Sequence, residues 1–408
     1  MAATPPTTGP RALVVGAGIA GLAAASSLHR AGWRVTVCER ADARRTGGYF
    51  VRLAPQGVAA AVRLGVDESL RSRLPADGLI TGVDGRGRTT SRVEAGLVDD
   101  GEGLALVRGD LEAALWDGLP AEVDVRFATE PRVVSPAHGT VTLVHDGVER
   151  TDRFDLVVGA DGVHSGVRAL AFGPEREFVR YLGGYSAYFT VPDPGDTDHL
   201  FRMYNAPGGL VAGLRPERGG TAKASLSFSS AQPAYERISR ADAERVLTER
   251  MTGAGWRIDE FLAAMPAADD FYFDSINQVR VETWHRGRIV LLGDAAACGS
   301  PLAGLGTSVA LVGAYVLAGE LAAAGGDHER GFPAFQEVLD AYAKAAMELP
   351  PGGFRSFAPH SRLMIWLRAK SWTMMSVWPM SAVMRKMMNR ADAIPLPDYS
   401  RLSMPVRG

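Results

Sequence analysis

Residues 287–321 read GRIVLLGDAAACGSPLAGLGTSVALVGAYVLAGEL and join two chemically different halves. The first is a short apolar run, Ile289 to Leu292, which has the character of a buried strand and is closed by Gly293 and Asp294. A Gly/Ala/Pro loop then leads into an uncharged segment of helical length, whose first backbone N–H groups have no partner within the helix. An acid at a strand end beside a helix N-terminus predicts a binding site for a cofactor.

The composition is that of a folded protein of enzyme size. The 408 residues are 46% hydrophobic and 22% charged, enough for one large core or two moderate ones. A net charge of −2 gives no basic surface that would indicate nucleic acid, so we expect small molecules as partners. Only two cysteines occur, Cys38 and Cys298, which excludes a disulfide framework and indicates the cytoplasm. No Cys/His/Asp cluster has the spacing of a metal site, so no metal is expected.

No membrane anchor is expected. The N-terminal sequence lacks a charged segment followed by an apolar one, which is the pattern of an export signal. Residues 301–319 carry no charge, but their glycines and proline favour a buried helix over a membrane span.

A glycine-rich turn, GAGIAG at residues 16–21, follows an apolar strand at 11–15 and runs into a helix rich in small residues. Gly16 would allow the tight turn, Gly18 would let the backbone approach a pyrophosphate, and Gly21 would let the helix lie close to the strand. A plain strand–helix–strand unit is the alternative. The candidate cofactor contacts at this turn are Gly16, Gly18, Ile19, Ala20 and Gly21.

A second strand, at residues 34–37, is followed by Glu39, whose carboxylate would accept the ribose hydroxyls of a dinucleotide. Because this acid would repel a 2′-phosphate, we expect FAD or NAD here and not NADP. No second GxGxxG occurs, so one cofactor is held permanently and any nicotinamide would bind transiently. The basic loop that follows would contact phosphate or lie in solvent. Its candidates are Arg40, Arg45 and Gly48.

A third buried strand, at residues 154–158, ends in GADGVHSGVR at 159–168. Asp161 would lie at its carboxyl end, where ligands bind open α/β sheets, and Ser165 would cap the next helix. Arg108 precedes a Leu-rich helix and would either reach the cofactor or pair with a neighbouring acid.

After Pro174, aromatic and β-branched runs alternate with turn sequences, which predicts an antiparallel sheet. We therefore expect a substrate-binding sheet domain at 76–99 and 175–276. It would be inserted in a discontinuous cofactor domain that comprises residues 1–75, 100–174 and 277–350. The candidate lining of an apolar pocket is Phe201, Met203, Tyr204, Leu210, Ala212 and Phe228.

The C-terminal part, 351–408, is rich in methionine and tryptophan. Basic and apolar residues alternate over 362–390, which predicts one or two amphipathic helices broken near Pro379. Three interpretations stay open: helices that bridge the two domains, a roof over a hydrophobic substrate, or weak contact with a membrane surface.

The three motifs, GAGIAG, GADGVHSGVR and GDAAACGSP, stand in this order along the chain. Together they resemble the class A (single-component) FAD-dependent monooxygenases, which include para-hydroxybenzoate hydroxylase, tetracycline-inactivating monooxygenases and polyketide hydroxylases. The resemblance extends to about Leu349. It implies an α/β fold with a Rossmann-like (GR2-type) FAD-binding domain, an inserted antiparallel β-sheet substrate domain and a C-terminal helical segment.

The resemblance also implies the cofactor chemistry. FAD would be bound non-covalently and reduced by NADPH or NADH, O₂ would add at the flavin C4a carbon, and the hydroperoxide would pass oxygen to an aromatic ring. Asp161 would serve both FAD and NAD(P)H, and Asp294 would contact the ribityl chain. The other contacts implied are Arg108, Gly293, Pro301, Gly304, Leu305, Gly306 and Thr307.

The third motif departs from the family pattern. Ala297, Leu305, Ser308 and Gly313 replace polar residues, so fewer polar contacts are expected near the flavin ring. No catalytic base is identified. The expected function is that of an oxidoreductase, a natural-product hydroxylase acting on an aromatic substrate with O₂. The alternatives are epoxidation, Baeyer–Villiger oxidation or dehydrogenation of a bulky substrate by the same flavin, and a flavin-binding protein without turnover.

Overall fold

The computed structural model describes residues 9–44, 50–73, 80–93, 103–195, 200–217, 219–235, 237–375 and 395–399. The predicted contacts Arg45 and Gly48 and the predicted break at Pro379 lie outside these residues.

The described strands, in chain order, are β1 (Arg11–Val15), β2 (Arg34–Cys38), β3 (Phe50–Leu53), β4 (Ile80–Val83), β5 (Thr89–Val93), β6 (Leu104–Val107), β7 (Asp124–Arg126), β8 (Thr129–Ser135), β9 (Thr140–His145), β10 (Val148–Arg153), β11 (Leu156–Gly159), β12 (Val179–Pro192), β13 (Phe201–Ala206), β14 (Leu210–Pro216), β15 (Thr221–Ser229), β16 (Tyr272–Arg280), β17 (His285–Arg286), β18 (Ile289–Leu291) and β19 (Ala297–Cys298). The α-helices are α1 (Ile19–Arg30), α2 (Pro55–Arg63), α3 (Asp67–Arg71), α4 (Arg108–Asp117), α5 (Gly166–Ala171), α6 (Arg240–Met251), α7 (Ile258–Ala264), α8 (Gly306–Ala323), α9 (His328–Ala346), α10 (Phe354–Phe357) and α11 (Arg362–Met375).

The first sheet of the described residues has the order β17-β18-β11-β1-β2-β7, and all its neighbours are parallel except β17 and β18. Its central strands are mostly apolar, because helices cover both faces of a parallel sheet. The sequence RALVV of β1 is buried from Ala12 onward. This confirms the predicted Rossmann-like part of the fold.

Helix α8 is long and apolar enough to cross a membrane, but 72% of it is buried inside the protein. It packs against α1, α2 and α9. A helix that is hydrophobic on all sides and enclosed by other helices belongs to the core of the fold.

The largest sheet has the order β19-β16-β12-β15-β14-β13-β4-β5 and is antiparallel except between β13 and β4. Its last two strands come from residues 80–93, so two distant parts of the chain build it. The predicted boundary at residue 276 falls inside β16, which continues to Arg280. There it pairs with β19, which belongs to the third sequence motif.

The two faces of this large sheet differ. One face, called here the helix face, packs against α6 and α7 in a cluster that includes Tyr185, Phe189 and Leu226. The opposite face, called here the loop face, carries the alternate residues of the same strands. Its members are Ser186, Tyr188, Met203, Asn205, Val211, Gly213, Ser225 and Ser227.

The C-terminal part contacts both regions of the molecule. Helix α11 lies on β5 and β13 of the large sheet. Residues 395–399 return to α8, where the Tyr399 hydroxyl donates to Glu320 and its ring lies 5.3 Å from that of Tyr315. Gly319 makes this contact possible, because a Cβ there would lie 2.2 Å from the Tyr399 ring.

Candidate active site

Three acids follow the carboxyl ends of parallel strands. Glu39 follows β2, Asp161 follows β11, and Asp294 follows β18, while the GAGIAG turn follows β1. The sheet order places β1 between β11 and β2, so all three motifs meet at one edge. Ligands of open α/β sheets bind at this edge.

The first turn is built by close backbone approaches. Gly16 has φ +102°, and a Cβ on Gly21 would lie 1.8 Å from the Gly16 carbonyl oxygen. Beside Gly18 the turn is open as far as the structure describes the chain, since the Arg108 guanidinium, at 3.8 Å, is the only described group within 4 Å of a Cβ placed there. Helix α1 begins at Ile19 with no side-chain cap and no acid in its first turn. Its free N–H groups, those of Ile19 and Ala20 included, therefore suit a phosphate group.

Glu39 is held by the backbone around it. Ala17 N–H donates to one carboxylate oxygen and Ala41 N–H to the other, each at 2.9 Å. A carboxylate has about four acceptor positions, so it retains capacity for a ribose. Arg40, next along the chain, is exposed.

Arg108 is the first residue of α4, and the pair with a neighbouring acid, one of its two predicted contacts, is present. Its guanidinium lies 3.5 Å from the Glu112 carboxylate. It also lies beside Gly18. Burial raises the pKa of Asp294, and the positive charge of Arg108 opposes part of that rise. Arg108 therefore stands between the first and third motifs.

Asp161 caps the following helix. It accepts from the Ser165 hydroxyl and from Val167 N–H at 3.0 Å, and burial raises the pKa of its carboxyl group. The Ser165 hydroxyl in turn accepts from Arg168 N–H, which confirms the predicted cap. These bonds order the loop between β11 and α5.

Asp294 faces the start of α8. A Cβ on Gly306 would lie 3.5 Å from its carboxylate oxygen. Burial raises the pKa of Asp294, and the Cys298 thiol is its hydrogen-bonding neighbour. Helix α8 has Leu305 as its N-cap, with no side-chain cap and no acid in the first turn. The carboxylate thus lies beside a helix N-terminus that has no side-chain cap.

The loop before α8 leaves the space at this helix N-terminus accessible. Pro301 and Gly304 are exposed, and Gly304 has φ +73° with nothing within 4 Å of a Cβ placed on it. Thr307, in the first turn of α8, is half-buried, and Gly293 has φ +60° where β18 ends.

Three of the four departures from the family pattern pack inside the protein. The Ser308 hydroxyl accepts from Ala54 N–H at 2.8 Å. Ala297 pairs with Arg280 in the large sheet. A Cβ on Gly313 would lie 2.9 Å from the Leu292 side chain. These three positions therefore serve packing contacts within the protein, and the expectation of fewer polar contacts near the flavin ring stays a prediction.

The sequence analysis missed two residues that connect the motifs. Arg168 is fully buried and donates to the Ala295 carbonyl at 3.0 Å and the Val163 carbonyl at 2.6 Å, which ties the second motif to the third. His164 contacts Glu175 at 2.9 Å and Asp274, on β16, at 3.1 Å. The DG motif contained both residues, but nothing in its sequence indicated partners more than 100 residues away.

The predicted pocket is divided between the two faces of the sheet. Phe201 and Met203 belong to the loop face. Met203 packs against the same small cluster as Leu302, which belongs to the loop 299–305 before α8, called here the flavin loop. The other four belong to the helix face and its core, so the six residues do not line one common pocket, because alternate strand residues point in opposite directions. These four are Tyr204, Leu210, Ala212 and Phe228.

The geometry agrees with comparisons to known proteins. A model of the FAD binding domain family matches residues 10–351. The chain belongs to this family. A flavin-dependent monooxygenase from an unknown prokaryotic organism is 36% identical over 339 residues, 82% of this chain and 86% of the relative. The FAD-dependent monooxygenase asL4 of Sarocladium schorii is 32% identical over 336 residues, 79% of this chain and 77% of the relative. This chain is an FAD-dependent monooxygenase.

A solved structure extends the likeness of this monooxygenase to nearly the whole fold. The tetracycline destructase Tet(51) has a TM-score of 0.81 and 27% identity, over 96% of this chain and 100% of that one. The residues at the sheet edge fit FAD as well. Two helix N-termini lack side-chain caps, and the close glycine packing of the first turn leaves its outer side open. These features match a pyrophosphate at α1 and an electron-rich ring at α8.

Proposed function

We propose that this monooxygenase hydroxylates an electron-rich aromatic molecule of natural-product type, with NADPH or NADH as reductant and O₂ as oxygen source. The mixed chemistry of the loop face carries the proposal. The loop face carries the hydroxyl groups of Ser186, Ser225 and Ser227. Its apolar part includes Met203, which packs against the same cluster as Leu302. Such a combination of apolar surface and a few polar groups suits a flat ring system that bears oxygen substituents.

The chain's own residues would bind and orient the reactants. FAD, when bound, supplies electron transfer from the nicotinamide and the activation of O₂. The first turn would bind its pyrophosphate, Glu39 its ribose and Asp294 its ribityl chain. The N-terminus of α8 would stabilise negative charge on the reduced ring. Helices α10 and α11 would keep water away from the loop face.

The solved neighbour supports a polycyclic substrate. Tet(51) is a tetracycline destructase, and tetracycline is a fused-ring compound with phenol and enol groups. The proposal also includes hydroxylation as the reaction, NADPH or NADH as the reductant and the cytoplasm as the location.

The test is a screen of NADPH and NADH oxidation with phenolic and polyketide compounds under ¹⁸O₂. We expect one or more compounds to accelerate NAD(P)H oxidation and to gain one ¹⁸O atom. FAD-free protein is the control and should show neither effect. A product that loses two hydrogens without gaining oxygen would identify a dehydrogenase instead. A bound flavin that NAD(P)H does not bleach would contradict turnover altogether.

A further inference from the structure

Helix α11 places a positive charge at the loop face of the large sheet. One terminal nitrogen of Arg368 donates to the side-chain oxygen of Asn205, and the other lies 3.5 Å from the Met203 sulfur. The Asn205 amide nitrogen donates to the Phe357 carbonyl at 3.1 Å, so its oxygen is the atom that faces Arg368. The arginine is therefore oriented by a residue of the face on which the substrate is expected.

Among the described residues, Arg368 has only neutral acceptors. Its guanidinium lies 4.3 Å from the Trp372 ring centroid and 5.8 Å from that of Phe357, and no carboxylate of these residues pairs with it. A guanidinium has five N–H donors, and an amide oxygen and a thioether use only part of this capacity. Burial lowers the pKa of Arg368 to about 10, so the group stays charged at neutral pH. An anion that joins a partly desolvated cation of this kind recovers part of the free-energy cost of its desolvation.

An apolar cluster connects the surroundings of Arg368 with the flavin loop. Met203 packs against the small cluster of Val211, Ile276 and Phe354, and Leu302 of the loop before α8 packs against the same cluster. The cluster thus connects the residue under Arg368 with the place expected to hold the flavin ring. An aromatic molecule lying on this cluster would have the flavin loop at one side and the arginine at another.

We propose that Arg368 binds an ionised phenol or enol oxygen of the substrate and thereby selects acidic aromatic compounds. The planar fork of an arginine suits such an oxygen, since two of its N–H groups can donate together. An ionised phenol is also more electron-rich than a neutral one, so the form that Arg368 binds is the form that accepts an electrophilic oxygen. The enzyme then needs no side chain to remove the proton. This inference rests on the proposed function, because it names the substrate class of that site.

The test uses a pair of ligands that differ in charge. 2-Hydroxy-1,4-naphthoquinone is ionised at neutral pH, and its methyl ether, 2-methoxy-1,4-naphthoquinone, is neutral. Their dissociation constants are measured on the oxidised, FAD-loaded full-length protein by fluorescence titration. We expect the native protein to bind the ionised compound at least about tenfold more tightly. Arg368→Met should bring the two affinities close together, and Arg368→Lys should restore part of the preference.

Lys370→Met is the matched control. Lys370 lies on the exposed side of the same helix, and its ammonium group lies 6.0 Å from the Trp366 ring centroid. This variant removes the same charge from α11 and should keep the full preference. The proposal is overturned if the native protein binds the two ligands equally or binds neither. It is equally overturned if Arg368→Met keeps the preference, if it weakens both ligands by one factor, or if Lys370→Met abolishes the preference.

The ¹⁸O₂ screen separates this inference from the proposed function. Native protein that prefers the anion but oxygenates no aromatic compound would contradict the function and leave the anion site in place. Native protein that oxygenates aromatic compounds but shows no preference for anions would contradict the site and leave the function in place.

Discussion

Glu39 and Asp294 are acids at the ends of parallel strands of one sheet, each beside a helix N-terminus, yet their surroundings differ. Glu39 accepts a backbone N–H on each oxygen, at 2.9 Å. Asp294 accepts no backbone N–H among the described residues and has the Cys298 thiol as its neighbour. Glu39 therefore makes structural hydrogen bonds within the protein, whereas Asp294 is desolvated and has free acceptor capacity.

The difference indicates which of the two acids contributes more to the free energy of cofactor binding. A buried carboxylate without good donors costs free energy, and a ligand that supplies hydroxyl donors recovers that cost. Asp294 meets this description, whereas Asp161 resembles Glu39, since Ser165 and Val167 already donate to it. We therefore expect changes at Gly21 and Glu39 to affect folding and changes at Asp294 to affect FAD binding.

The largest effect is expected from Gly21→Ala. The added Cβ would lie 1.8 Å from the Gly16 oxygen, so α1 must move away from β1. We expect a loss of about 3 kcal/mol or more in the free energy of unfolding, measured by urea denaturation of the FAD-free protein.

Gly18→Ala is the control within the same turn. Gly18 has φ −79° and ψ −173°, which any residue adopts, and a Cβ there has open space. This variant should fold like the native protein and bind FAD at least about tenfold more weakly, because the Cβ takes the place of the pyrophosphate. Equal stability of the two variants would show that the close approach of α1 is unimportant.

Asp294→Asn should lose FAD while keeping the fold. The amide retains the shape of the side chain but removes the charge that would accept ribityl hydroxyls. We expect FAD binding to weaken at least about tenfold, measured by flavin fluorescence during titration of the apoprotein. Full retention of FAD by the purified variant would remove Asp294 from the cofactor site.

The same variant should be more stable than the native apoprotein at neutral pH. Burial raises the folded-state pKa of Asp294 above its ordinary value of 3.8. Below pH 3.8 both states hold the proton and the acid has no effect. As pH rises from 3.8 through the folded-state pKa, the native apoprotein loses stability that the Asp294→Asn variant does not lose. Urea denaturation at several pH values checks this, and a variant less stable than the native apoprotein at neutral pH would contradict it.

The sequence predicted the first motif well and the third motif only in outline. Gly21 and Glu39 act on atoms within about 25 positions of themselves, so their order along the chain indicates their function. Ser308 and Arg168 act on partners 254 and 127 positions away. Their contacts depend on how the sheets pack, and no local sequence pattern indicates such long-range contacts.

The substrate sheet shows a second limit. Its strands were predicted from aromatic and β-branched runs, and the structure has them. Aromatic content favoured Tyr204 and Phe228 as pocket residues, yet both belong to the helix face. Serines of the same strands lie on the other face. Both faces are covered by protein, so hydrophobicity does not show which one meets the cofactor.

A smaller effect is expected from Glu39→Gln. One amide NH₂ group then faces a backbone N–H, so one of the two bonds to Ala17 and Ala41 is lost. We expect the apoprotein to lose about 1–3 kcal/mol in the free energy of unfolding, with weaker FAD binding as a consequence. Arg34→Ala, at the exposed start of β2, is the control and should change neither. Unchanged stability with weaker FAD binding would mean that Glu39 serves the ribose alone and would remove its contrast with Asp294.

The smallest effect is expected from Ser308→Ala, which tests whether the third motif mixes structural and cofactor residues. Ser308 is buried, and its hydroxyl accepts from Ala54 N–H between β3 and α2. Its loss leaves that N–H without a partner and should cost about 1–2 kcal/mol of unfolding free energy in the apoprotein. FAD affinity should stay within about twofold of the native value, because the hydroxyl faces Ala54. Weaker FAD binding at unchanged stability would instead place Ser308 beside Asp294 in the cofactor site. The third motif would then lack a structural residue of the kind that Glu39 provides for the first motif.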